Sequence, residues 1–273
     1  MEQLEIKDIS KDVAVAYAFQ NLRETDEAGS ASVVIARVLD DPSLSMNVKS
    51  RAIYVETSKI ISDLFESDIT PEKIHEAKNS VNAMLNGVMS NRITITSLIK
   101  VSSYDYYTYT HCVNVGVYAI GLGGEIGLPR NELEQIGAGG IMHDLGKAKV
   151  DINIINKPGK LTDEEFAEIK KHPAYGYNIL KEQSENDEII LTSVRHHHEK
   201  LNGGGYPDGI MGDNLSLYAR IVAICDIFDA LTTKRSYKPA LSTFDALNLM
   251  KNKMLAELDA KLLTYFIRMM GKS

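Results

Sequence analysis

Cysteine is nearly missing: the 273-residue chain has two, Cys112 and Cys225. That number excludes a disulfide framework and fits a reducing compartment. Each lies in an apolar stretch, where a thiol is expected to behave as a small buried hydrophobe. No uninterrupted apolar run approaches the ~20 residues that a bilayer crossing needs, so no membrane segment is expected. A basic excess is lacking too: 30 Lys plus Arg face 37 Asp plus Glu, a formal charge of −7. This argues against a general binder of nucleic-acid polymers. It leaves room for a phosphorylated ligand if a metal or a local basic cluster stands at the site. The start, Met1-Glu2-Gln3-Leu4-Glu5, is acidic and lacks the basic n-region of a secretion signal, so a cytoplasmic location is the expectation.

Alternating β-branched strands are scarce as well, and the chain reads as helix almost throughout. At 44% hydrophobic and 25% charged it has the composition of an ordinary globule. Its length fits one large domain or a domain with a smaller appendage. Ile6, Ile9, Val13 and Tyr17 suit one amphipathic helix. Asp40-Asp41-Pro42-Ser43 is a break, with Pro42 suited to the first turn of the next element. Val48, Ala52, Val55, Ile60 and Leu64 predict a long helix ending near Ser67, and Thr70-Pro71 restarts a helix with a capping hydroxyl and a proline. Residues 92–99 are ambiguous between helix and strand. His75 is the one histidine in this half, and a surface or packed role is its expectation.

The other six histidines lie between positions 111 and 198. His143-Asp144 follows a helical stretch and precedes Gly146; such a pair at a helix end can address one metal site, imidazole giving nitrogen and carboxylate bridging two cations. His196-His197-His198-Glu199 stands at the end of a buried helix and runs into Asn202-Gly203-Gly204-Gly205-Tyr206-Pro207, a loop able to approach a ligand closely. His172 precedes Pro173, so the helix starting near Thr162 should stop there. His111 leads the apolar series Val113, Val115, Val117. Asp226 sits in Ile224-Cys225-Asp226-Ile227-Phe228, where a carboxylate is expensive to bury unless it is paired or binds a cation. Asp229, three residues on, shares its helical face and suits a supporting partner.

These residues, in this order, resemble the signature of HD-GYP phosphodiesterases, a branch of the HD superfamily of metal-dependent phosphohydrolases. The resemblance covers residues 95–245 and includes Asn156-Lys157-Pro158-Gly159, Arg220-Ile221-Val222 and Arg235-Ser236-Tyr237-Lys238. It implies an all-α, HD-type helical bundle that hydrolyses cyclic di-GMP to pGpG and/or GMP, with two divalent ions, Fe or Mn. By the resemblance His111, His143, Asp144 and Asp226 make one half of the centre. His172, His197 and His198 complete the second, with Asp144 bridging. Three-metal members carry a Glu four residues before the first ligand; here that position is Tyr107, so two metals are expected. His196 stands one place before the motif and is expected outside the ligand set.

Lys147 would bring an ammonium to the phosphate, Arg235 and Lys238 would contact the phosphates, and Gly205, Tyr206 and Pro207 would shape the site wall. The alternatives are a catalytically silent module that binds cyclic di-GMP or a protein, and a hydrolase of another cyclic dinucleotide such as cyclic GMP-AMP. A structural zinc module is excluded by the cysteines, which have no CxxC-like partner. Residues 1–94 are expected to form a helical regulatory or dimerisation region, giving a homodimer through these helices and contact with signalling proteins. Residues 95–273 are expected to form the phosphohydrolase domain.

Overall fold

Short side chains that bond their own backbone set the first boundaries. The computed structural model describes residues 31–102, 110–233 and 240–272 and begins with α1 (Ala31–Asp40). The Asp41 carboxylate then accepts from Ser43 N at 2.8 Å, the turn that Asp favours. Pro42 sits in this turn and does not open the next helix as expected; Ser45 does, capping α2 (Met46–Glu66) through Val48 N. Thr70 caps α3 (Pro71–Met89), with Pro71 in its first turn as the sequence predicts. The ambiguous 92–99 patch resolves in favour of helix, α4 (Ile95–Ser102). A reciprocal cap decides it: Thr94 N donates to Ser97 Oγ and Ser97 N to Thr94 Oγ1, both at 3.0 Å. The apolar set at Ile6, Ile9, Val13 and Tyr17 lies outside the described residues.

The helix α5 (Thr110–Glu125) and the helix α6 (Arg130–Met142) form an antiparallel hairpin. They approach closely because glycines face each other; a Cβ on Gly140 would stand 2.8 Å from Gly116 Cα. The start of α5 and the end of α6 therefore lie at one end of the bundle. A 3-10 turn (Leu145–Lys149), α7 (Ile152–Ile155) and α8 (Asp163–Ile169) come next. A capping box between Thr162 and Glu165 opens α8. It ends before His172 as Pro173 predicts, and Pro173 then occupies the first turn of α9 (His172–Glu182). After it come α10 (Glu188–His196), α11 (Leu217–Thr232), α12 (Thr243–Lys253) and α13 (Ala260–Met270). Among the described residues there is no strand, only an isolated bridge between Asn202 and Met211, so the all-α expectation is met.

One hydrophobic core runs from Ile35 through Tyr54, Ile141 and Phe228 to Met270. In it α2 and α4 pack on α5, and α3 packs on α6. The N-terminal helices thus share their apolar faces with the helices that carry the histidines. Among the described residues no helix is long and apolar enough to cross a membrane.

Candidate metal centre

Five segments deliver their side chains to one end of the bundle. The first turn of α5 carries His111, and the end of α6 releases His143 and Asp144. His172 opens α9, the run after α10 supplies His197 and His198, and α11 contributes Asp226. The seven expected ligands meet in one cluster. His111 Nε2 is 3.2 Å from Asp226 Oδ1 and 3.7 Å from Asp144 Oδ2. His143 Nε2 is 3.4 Å from Asp144 Oδ2 and 3.8 Å from Asp226 Oδ1. On the other side His172 Nε2 is 3.3 Å from Asp144 Oδ1, and His198 Nδ1 is 3.8 Å from Asp226 Oδ2. Each carboxylate therefore turns one oxygen to the His111/His143 side and the other to the His172/His198 side.

The backbone sets the imidazole tautomers. His143 Nδ1 lies 2.7 Å from Gly140 O, His172 Nδ1 2.8 Å from Ile169 O, and His197 Nδ1 2.8 Å from Val194 O. A carbonyl only accepts, so each Nδ1 carries the proton and, in the neutral ring, each Nε2 presents a lone pair. His172 Nε2 and His197 Nε2 nevertheless face each other at 3.2 Å, and His143 Nε2 and Asp144 Oδ1 are buried without a hydrogen-bond partner. Converging acceptors of this kind repel one another and lack the partners that buried polar atoms have. A cation between them answers both problems, and ring protons held by backbone carbonyls are the usual support of metal-binding histidines. The residues present fit divalent ions.

Charge follows the same division. Burial alone would lower the His111 pKa, but hydrogen bonds to Asp226 and Asp229 outweigh it and lift the ring to about 10. That half of the cluster favours positive charge. Burial holds His198 down at about 4. Burial and the neighbouring imidazoles His198, His143 and His172 hold His197 well below its ordinary value. Both rings stay neutral and open to a cation. Burial would raise Asp144, but Lys147 and His143 overcome it and keep the carboxyl ionised.

Lys147 Nζ donates to Asp144 Oδ2 at 2.5 Å from a half-buried position. The Tyr206 ring lies against His198, centroids 4.7 Å apart at 31°. Burial raises its phenol, which keeps its proton. Gly205 passes so near the backbone of residues 198–200 that any Cβ would overlap Glu199 Cα. His196 turns out of the cluster, with Nε2 2.9 Å from Asp208 Oδ2, and His75 is exposed on α3. Arg235, Lys238 and Tyr107 lie outside the described residues. Both cysteines are buried, and burial pushes their thiols well up. Neither thiol is expected to alkylate in the native chain at about pH 8, near the ordinary thiol pKa; both should react after unfolding. Mass spectrometry of iodoacetamide-treated protein checks this.

Two features escape sequence reasoning. The buried Glu199 carboxylate accepts from the amides of Asp208 (2.6 Å), Gly209 (2.9 Å) and Ile210 (3.1 Å), closing the loop that carries Tyr206. Glu199→Gln sets an amide donor against these N–H groups, and a buried unsatisfied donor costs about 1–3 kcal/mol. Faster hydrogen exchange at residues 208–210 is the expected result, and unchanged protection would show that the loop closes without the carboxylate. The second feature is Asn114, three residues after His111 and buried among valines. Its Nδ2 donates to Asp229 Oδ1 at 2.7 Å, while Asp229 Oδ2 accepts from His111 Nδ1 at 2.7 Å. An Asn in so apolar a run was the available signal.

A sequence profile described as HD domain matches residues 101–262. The chain belongs to the HD-domain family, with the His143-Asp144 doublet at the middle of its cluster. HD-domain phosphohydrolases bind divalent metals, and two groups here have the ligand atoms to do so: His111 with His143 and Asp144, and His172 with His197 and His198. The chain is 33% identical over 195 residues to a cyclic di-GMP phosphodiesterase of Pseudomonas aeruginosa, covering 71% of this chain and 47% of that one. It is 30% identical over 241 residues to a 3'3'-cGAMP-specific phosphodiesterase of Vibrio cholerae, covering 88% of this chain and 52% of the other. The chain spans about half the length of these curated relatives. In fold it is similar to an HDG"Y"P protein from Bdellovibrio bacteriovorus, with a TM-score of 0.74 and 20% identity over 87% of this chain and 76% of that one.

Proposed function

We propose that the chain is a metal-dependent phosphodiesterase that hydrolyses cyclic di-GMP to pGpG and/or GMP. The observation that carries the reading is the pair of inward Nε2 atoms of His172 and His197, 3.2 Å apart, with both Nδ1 protons taken by backbone carbonyls. In this reading His111, His143, Asp144 and Asp226 would hold one divalent ion, Fe or Mn. His172, His197 and His198 would hold a second, with Asp144 shared between the two. Such ions supply positive charge against the phosphodiester and acidify water at neutral pH.

The chain's own side chains do the rest. The carbonyls of Gly140, Ile169 and Val194 fix three rings with their lone pairs inward. Asp144 holds the Lys147 ammonium beside the cluster, where it would meet a phosphate oxygen. Arg235, with its planar fork, and Lys238 would take the remaining phosphate oxygens. Gly205 and Tyr206 form the wall of the pocket. Residues 1–94 would serve as the regulatory or dimerising region that receives signalling partners, and residues 95–273 as the hydrolase.

A second substrate, cyclic GMP-AMP, is the alternative, since one relative 30% identical over 88% of this chain is cGAMP-specific. Metal ligands read phosphate, not base, and selection rests on pocket shape. Protein purified without air should be given cyclic di-GMP and cyclic GMP-AMP separately, with products followed by chromatography. Conversion of cyclic di-GMP to pGpG and/or GMP is the expected result. Faster conversion of cyclic GMP-AMP would reassign the substrate. Retained metal with no cleavage of either would make the chain a binding module.

A further inference from the structure

A chain of hydrogen bonds leaves the cluster, runs inward and ends on an N-terminal helix. His111 Nδ1 donates to Asp229 Oδ2 at 2.7 Å. Asp229 also accepts from Asn114 Nδ2 (2.7 Å) and Thr233 Oγ1 (3.1 Å). The Asn114 carbonyl oxygen in turn accepts from the Tyr54 hydroxyl on α2. Tyr54, Asn114 and Asp229 are all buried, so the two bonds that join Tyr54 to Asn114 and Asn114 to Asp229 are shielded from water. Tyr54 stands well outside the residues 101–262 that match the HD-domain profile.

We propose that Tyr54 is a positioning residue for the metal centre, acting through Asn114 and Asp229 to orient His111, so that α2 supplies part of the site's supporting shell. The inference rests on the metal-centre reading above. An Asn side chain can flip to present either its oxygen or its nitrogen. A hydroxyl donor at one end selects the oxygen there and leaves the Nδ2 donor for Asp229. With Asn114 and Thr233 donating to it, Asp229 is held where it accepts the His111 Nδ1 proton, and His111 Nε2 then offers a lone pair to the centre. Without the Tyr54 hydroxyl the buried Asn114 oxygen loses its donor, the amide that holds Asp229 is no longer fixed from behind, and the ring loses its fixed direction. A displacement of α2 large enough to part Tyr54 from Asn114 would do the same, which ties metal affinity to the placement of the N-terminal helices.

The test uses the full chain, stripped with chelator and titrated with Mn²⁺ against a competing fluorescent chelator. Tyr54→Phe removes one oxygen and keeps the ring. Loss of an outer partner of a metal-binding histidine typically weakens metal affinity by about 10–100-fold; at three bonds' remove about tenfold is expected, confined to one of the two ions. Asn114→Ala, one step nearer, should weaken the same ion at least as much. Ser50→Ala is the control, because it removes another buried bond of α2, to Ser97 Oγ at 2.6 Å, away from this relay. It should leave Mn²⁺ affinity unchanged. Circular dichroism establishes that each variant is folded at the titration temperature. Wild-type affinity in Tyr54→Phe, or equal weakening in Ser50→Ala, overturns the inference and leaves the metal-centre reading standing. A wild-type chain that takes up no Mn²⁺ overturns that reading and this inference with it.

Discussion

Asp144→Ala is expected to lose both bound metal and turnover while keeping its helices. The two Asp144 oxygens face opposite halves of the cluster, 3.4 Å from His143 Nε2 and 3.3 Å from His172 Nε2. Among the described residues no other carboxylate pairs with both rings, so one substitution weakens both ions. Charge stabilisation by metals contributes several kcal/mol to such transition states, which makes a loss on the order of a thousandfold in kcat the minimum. The substitution also leaves the Lys147 ammonium without its 2.5 Å partner. Elemental analysis and the cyclic di-GMP assay on one preparation, with circular dichroism to establish folding, check the three parts together. Full turnover in the variant would contradict the bridging role.

Gly146→Ala is the second large effect, and it acts through backbone. The 3-10 turn after Asp144 passes against the start of α9, where a Cβ on Gly146 would overlap the His172 carbonyl oxygen and the Gly176 amide nitrogen. Neither obstacle can rotate away as a side chain would. Either the turn or α9 must shift, and His172 or Asp144 shifts with it. Overpacking typically costs about 1–3 kcal/mol, and a clash of backbone with backbone belongs at the upper end. The metal-free variant should melt several degrees lower, and the metal-loaded one should lose the ion on the His172 side first. A melt equal to wild type would mean that the close approach is not required.

The sequence made the side chains of the cluster legible and left their support hidden, for a physical reason. His143-Asp144, His197-His198 and Asp226 show themselves locally: a polar pair beside glycine, a histidine run closing an apolar helix, a carboxylate inside one. Helices α2 and α3 were equally readable, α2 from its apolar spacing and α3 because a Thr cap and a first-turn proline act within four residues. Residues 92–99 could not be resolved from spacing, since β-branched residues suit either state and the deciding Thr94/Ser97 cap is a matter of geometry. Pro42 does not enter α2, because Asp41 makes a turn of its own before Ser45 caps the helix. Glu199 stood in view, but its partners are amides nine to eleven residues away, and backbone N–H groups leave no mark in a sequence. The Tyr54–Asn114 bond joins residues sixty positions apart, and nothing near Tyr54 distinguishes it from any other core tyrosine.

Everything turns on paired cations among the imidazoles. The most direct measurement is the metal content of protein purified without air, combined with X-ray absorption at the edge of the metal found. About two divalent ions per chain are expected, each ligated by imidazole nitrogen and carboxylate oxygen. A chain that neither retains nor takes up Fe²⁺ or Mn²⁺, or one whose ion lacks imidazole ligands, would contradict this expectation.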